Sequence, residues 1–182
     1  MRRVNAVISM LILALFLFHG VVGGFQLAGV MEGGNALMQN LAHIMEAMIG
    51  LHLLIGTKLT VDTVIAMKKS GTHYYKENRL FWLRRVSGFA CMVFIALHIM
   101  LFVGKNDGVY RLNFFGGLQL ATQILLVLSI AVHVISNAKP MLLSFGTKSY
   151  KELGIDLAVI LSGILLFTGV CFVIYYFRWK MI

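Results

Sequence analysis

The chain has 182 residues, of which 59% are hydrophobic and 13% charged, with a single proline, and its mean hydropathy is +0.86. That composition excludes an ordinary soluble domain and points to a membrane protein. The net charge of +9 then reads as membrane topology and attraction to anionic lipid headgroups, and a nucleic-acid partner is not expected.

Runs of about 20 mostly apolar residues are the unit that crosses a bilayer. Five occur, over residues 4–24, 36–57, 85–103, 115–138 and 157–177. The expected fold is all-α, a single integral membrane bundle of five transmembrane helices joined by short connections. The connections leave no space for a soluble catalytic domain. Arg2 and Arg3 precede the first run as they would in a signal peptide. The run is longer than a typical signal core, ends in no clear small-x-small cleavage pattern and carries His19 near its far end, so it reads as a retained helix. With the N-terminus cytoplasmic, twelve of the sixteen Lys and Arg fall on that side, and Lys105, Arg111, Arg178 and Lys180 fall on the other. That is the bias of a positive-inside topology.

Five of the six histidines, His19, His43, His52, His98 and His133, lie inside these runs. An imidazole in hydrocarbon costs free energy unless it is paired, lines a wet cavity or binds something. Helical rise of about 1.5 Å per residue sorts them by depth. His19 in the first span and His98 in the third both lie roughly 20 Å from the cytoplasmic boundary, in the outer half. His52 is six residues before Lys58 and His133 six residues before Lys139, about 9 Å from the cytoplasmic side by the same rise. Each layer thus holds two histidines from different helices. A six-coordinate haem takes one imidazole above and one below its ring, and the pairs His19 with His98 and His52 with His133 meet that requirement, with the layers about 10 Å apart. His43, nine residues from His52, lies on the opposite face of its helix. It shares a face with Glu46 and can pair with that carboxylate, support a haem propionate, join a quinone pocket, or replace His19 as the outer ligand. Cys91 and Cys171 stand singly in different spans, with no CxxC or CxxCH, and read as packing residues.

The junction into the third span runs Arg79-Leu-Phe-Trp-Leu-Arg-Arg-Val-Ser-Gly-Phe-Ala and continues to Val-Phe-Ile-Ala-Leu-His98. Arg84, Arg85 and Ser87 beside Trp82 form an interfacial anchor, and Arg also suits a haem propionate or a quinone carbonyl. Arg111 could serve an outer propionate in the same way. The basic and aromatic stretch from Thr72 to Arg85 suits docking of another subunit, or the lipid interface itself.

This junction resembles the signature of the cytochrome b membrane subunit in the succinate dehydrogenase and fumarate reductase family. Five spans with histidine in each of the first four resemble that family's two-haem branch. The sharp motif covers about twenty residues. The resemblance implies a dihaem anchor in a bacterial cytoplasmic membrane, carrying an iron-sulfur subunit and an FAD-containing flavoprotein on its cytoplasmic side, with no succinate or fumarate site of its own. It implies two b-type haems, with metal ligands at His19 and His98 (outer) and His52 and His133 (inner), and menaquinone or another quinone as the membrane substrate. The chain departs from some relatives in having no acid beside His133, where Ser129, Ile130, Ala131 and Val132 precede it. Glu46, deep in a span, and Glu32, on the outer loop among glycines, are then the candidates for proton exchange at a quinone site. Glu32 can equally be a solvated loop residue. Two other readings stand: a haem b subunit of a hydrogenase or formate dehydrogenase, and a haem-free scaffold or proton-linked transporter in which the histidines and Glu46 form a relay.

Overall fold

The computed structural model describes residues 1–71, 78–102, 105–106, 109–110 and 115–181. Five helices form the chain: α1 Arg2–Ala28, α2 Ala36–Ser70, α3 Arg79–Phe102, α4 Gly117–Ser144 and α5 Tyr150–Lys180. All five are long and apolar enough to cross a membrane. A two-residue antiparallel pairing, β1 Lys105–Asn106 with β2 Val109–Tyr110, sits in the α3–α4 connection. Each helix outruns its apolar segment, because the polar residues at its ends keep helical hydrogen bonds in the interfacial region. The largest extension is in α2, which continues past Lys58 to Ser70 with a Lys58–Asp62 ion pair of 3.2 Å one turn along its exposed face.

Local chemistry sets the ends of the first two helices. Gly29 stops α1 at φ 78°, a left-handed turn that returns its N–H to the last turn of the helix. Asn35 starts α2 by accepting the Leu37 N–H at 2.9 Å, and Gly71 ends it at φ 65°.

The neighbours around the bundle are α3 on α4, α4 on α5, α5 on α1 and α1 on α2, with a smaller α1–α4 contact across the middle. Close approach of α1 to α5 depends on small residues, as is usual where lipid removes the hydrophobic drive between helices. Gly20 lets Ile164 and Thr168 come within 3.5 Å of where a Cβ would stand, and the ring of Phe167 occupies the space a Cβ on Gly24 would need. At the end of this seam Arg178 Nη1 donates to the Leu27 carbonyl at 2.9 Å, satisfying an acceptor that the end of α1 would otherwise leave free. The C-terminal ends of α1 and α5 therefore lie together, and the two helices run parallel.

The core follows the same seam in two clusters. Ala6, Leu13, Met141, Leu161 and Leu165 form one, and Leu27, Phe115, Cys171 and Phe172 the other. Outward-facing apolar residues such as Leu118 (75% exposed) and Leu166 (71%) suit a lipid surround. No described residue of α2 is buried. That helix borders a cleft of about 2330 Å³ lined by residues of α1, α2, α3, α4 and α5. A small-molecule site is roughly 300–1,000 Å³, so the cleft is large enough for more than one cofactor-sized group.

Candidate functional site

The four histidines at the two depths all line this cleft. His19 of α1 faces His98 of α3 with ring centres 6.2 Å apart and planes at 78°. His52 of α2 faces His133 of α4, also at 6.2 Å, with planes at 83°. An imidazole nitrogen bonds a first-row metal at about 2.0–2.1 Å and lies roughly 1.1 Å from its ring centre, so two imidazoles sharing one ion across a plane hold their centres about 6.2–6.4 Å apart. Edge-to-face contact of two neutral rings covers the same range, about 4.5–7 Å, so the distance is read together with the protonation pattern.

That pattern follows from the partners of the rings. Ser9 Oγ donates its only proton to the Asn5 carbonyl at 2.8 Å, so at 3.2 Å from His52 Nδ1 it can only accept. Ser87 Oγ lies 3.3 Å from the Arg84 carbonyl and 3.3 Å from His133 Nδ1, so its one proton can serve either partner. On His98 the partner is Gln123 Oε1 at 2.7 Å. Its amide is oriented in turn, because Gln123 Nε2 donates to Thr122 Oγ1 at 3.3 Å while that hydroxyl donates to the Gln119 carbonyl at 2.7 Å. For His52 and His98 these partners favour the proton on Nδ1, which leaves the Nε2 lone pair free, the tautomer in which a histidine binds metal through Nε2.

The walls suit a flat group. Gly23, four residues after His19, and Gly56, four residues after His52, line the cleft and have open space where a Cβ would stand. Gly88 lies under His133, with the ring's Cε1 3.0 Å from the position of a Cβ. The junction motif thus converges on His133: Ser87 meets its Nδ1, Gly88 underlies its ring, and Arg84 Nε donates to the carbonyl of Ser136 one turn on at 2.8 Å. Arg85 lies with its guanidinium 5.0 Å from the Phe81 ring centre, and its Nε is a buried donor with no partner among the described residues. Asn5 Oδ1 is likewise a buried acceptor with none. Asn5, Arg85, Arg84 and Arg2 border the same cleft, and an unpaired buried guanidinium nitrogen there suits the carboxylate of a bound group. These residues fit a haem at each histidine pair.

The other sequence candidates fall as follows. His43 Nδ1 and Glu46 Oε2 are 3.2 Å apart; both residues border the cleft, with side chains 60% and 38% exposed. Glu32 is exposed on the α1–α2 turn, where its main-chain carbonyl accepts from Gln26 Nε2 at 3.2 Å. Its neighbours Gly33, Gly34 and Asn35 line the cleft. Arg111, and residues 72–77 of the proposed docking stretch, lie outside the described residues. Trp82 is 38% exposed at the start of α3. Among the described residues no group of three or more His, Cys, Asp or Glu could hold a metal ion.

Sequence reasoning missed Gln123, Ser9, Asn5 and Pro140. Gln123 carries a signal that was there to read, an amide well inside an apolar span. Ser9 and Asn5 carry none, because serine and asparagine near a helix end are common.

Comparison with known proteins leaves the geometry to stand alone: no family model matches the chain, and no curated protein and no solved structure matches it.

Proposed function

We propose that this chain is the dihaem cytochrome b membrane anchor of a succinate:quinone or quinol:fumarate oxidoreductase, passing electrons between an iron-sulfur subunit and a membrane quinone, with menaquinone favoured by the family resemblance. The observation that carries the reading is the pair of facing histidine couples from four helices, each with ring centres 6.2 Å apart across one cleft. In this reading His19 and His98 hold the outer haem and His52 and His133 the inner one. The N-terminus lies in the cytoplasm of a bacterial cell, where the iron-sulfur and FAD-containing subunits dock.

When bound, haem would supply reversible one-electron transfer, and the residues that would hold it are His19 with His98 and His52 with His133. The chain's residues do the rest. Ser9, Ser87 and Gln123 orient three imidazoles through Nδ1, and Gln123 and Ser9 favour the ligating tautomer of His98 and His52. Arg84, Arg85 and Arg2 provide cationic charge at the inner end of the cleft, where propionates would need it. Leu13, Leu126, Leu165 and Phe172 form dry parts of its wall. Oxidising a quinol releases two electrons and two protons; in this reading the Glu46 carboxylate, 3.2 Å from His43 Nδ1, takes the protons one at a time at Oε2 and releases each to water at its exposed edge. Succinate and fumarate chemistry belongs to the partner subunits.

A reduced-minus-oxidised visible spectrum of the purified full chain tests the reading. A b-type α-band with two haems per chain is expected. A chain without that band sinks the proposal and leaves the haem-free scaffold or proton-linked transporter.

A further inference from the structure

Gln123 is completely buried, 0% exposed, in the second turn of α4. A buried amide in an apolar helix is costly unless all its hydrogen-bonding capacity has a purpose. Here the donor end is held by Thr122 and the acceptor end takes the His98 Nδ1–H at 2.7 Å, the shortest contact to any of the four paired histidines. The ring is also fixed by aromatic neighbours, with centres 4.5 Å away at Phe102 and 6.3 Å at Phe172. The inner pair is treated differently: its Nδ1 atoms meet serine hydroxyls at 3.2 and 3.3 Å, each hydroxyl shared with a main-chain carbonyl.

We infer that Gln123 is a positioning residue that fixes the Nδ1 proton of His98 and thereby tunes the redox poise of the outer haem alone. The inference rests on the dihaem reading. The mechanism is electronic as well as steric. A strong, dry acceptor on Nδ1–H pulls that proton away from the ring, makes Nε2 a better donor to iron, and favours the ferric over the ferrous state. Removing the acceptor should favour the ferrous state and raise the midpoint of that haem. The effect should stay local, because on α4 Gln123 and His133 stand ten residues apart, about 15 Å by helical rise.

The test is a potentiometric titration of the detergent-purified full chain, followed at the α-band, for wild type, Gln123→Leu and Gln123→Glu. His98→Ala identifies which component of the curve is the outer haem. In Gln123→Leu the outer midpoint should rise by the equivalent of about a tenfold change in ferric-over-ferrous preference, 59 mV for one electron, with the inner component unmoved. Gln123→Glu, which keeps an acceptor at the same reach, should titrate at or below wild type. If Gln123→Leu fails to retain the outer haem, Gln123→Glu decides: a midpoint above wild type overturns the inference. So does an unchanged outer midpoint in Gln123→Leu with full haem content, or an equal shift of both components. A wild-type chain with no haem overturns the dihaem reading and the inference with it, whereas two haems that ignore Gln123 overturn the inference alone.

Discussion

Arg84 Nε donates a 2.8 Å hydrogen bond to the main-chain carbonyl of Ser136, which lies four residues before Pro140 inside α4. Proline has no N–H, so the carbonyl four residues earlier loses its helical donor. An arginine from α3 replaces it and so holds α3 against α4 one turn from His133. The His133 carbonyl is braced nearby, accepting from Ser136 Oγ at 3.1 Å and Asn137 Nδ2 at 2.8 Å.

Arg84→Ala should lower thermal stability by about 1–3 kcal/mol, the range for a lost charged hydrogen bond that strands a buried acceptor. Pro140→Ala returns an N–H to α4 and should recover part of that loss. A double-mutant cycle in thermal unfolding measures it, and purely additive effects would contradict the pairing.

Gly24→Val should disrupt the α1–α5 seam, since the Phe167 ring stands where the new side chain begins. The expected cost is about 1–3 kcal/mol, read as a lower unfolding midpoint in detergent. Combining it with Phe167→Ala should relieve part of the effect.

Ser9→Ala and Ser87→Ala each remove the Nδ1 hydrogen-bond partner of an inner-pair imidazole. Each should weaken retention of the inner haem about 10–100-fold, the usual consequence of losing a ligand's outer partner. The outer component of the spectrum should stay intact. Haem content after dialysis against a haem scavenger reads this directly.

Glu46→Gln keeps the shape of the side chain and removes its proton-accepting capacity. Reduction of the haems by a quinol analogue should slow by about 10²-fold or more, while dithionite reduction stays unchanged. A variant that reacts with quinol as fast as wild type would exclude Glu46 from proton exchange.

Reporter fusions check orientation. The positive-charge bias predicts a cytoplasmic N-terminus, and with α1 and α5 parallel the free ends of these two helices should lie on opposite faces. A periplasm-active reporter should therefore work at the C-terminus and fail at the N-terminus.

The five spans were legible because hydrocarbon thickness imposes one length on every crossing segment. Their ends were not, because Lys58, Asp62 and the residues up to Ser70 continue a helix that hydropathy alone stops at the interface. Depth along each helix was enough to suggest which histidines could meet, since rise per residue is nearly constant. It gave about 10 Å between layers, whereas Ser9 and His19 on α1, one serving each pair, stand ten residues apart, about 15 Å by the same rise. Face periodicity separated His43 from His52, and the structure adds that His43 contacts Glu46 while both histidines border the cleft. What could not be read was anything that depends on a neighbouring helix. The orphan carbonyl of Ser136 is implied by Pro140, but the arginine that answers it belongs to α3. Ser87 reads as an interfacial hydroxyl until α4 brings His133 to it.

Neither histidine pair joins consecutive helices: α1 meets α3 in one and α2 meets α4 in the other. In chain order the His19–His98 couple therefore needs only the first three segments, and the His52–His133 couple needs the fourth as well. The fifth contributes no histidine and arrives last to lock α1 and α4 in register. Truncation after α3 would separate the two couples in time, leaving a nascent chain with one of them assembled and the other still half made.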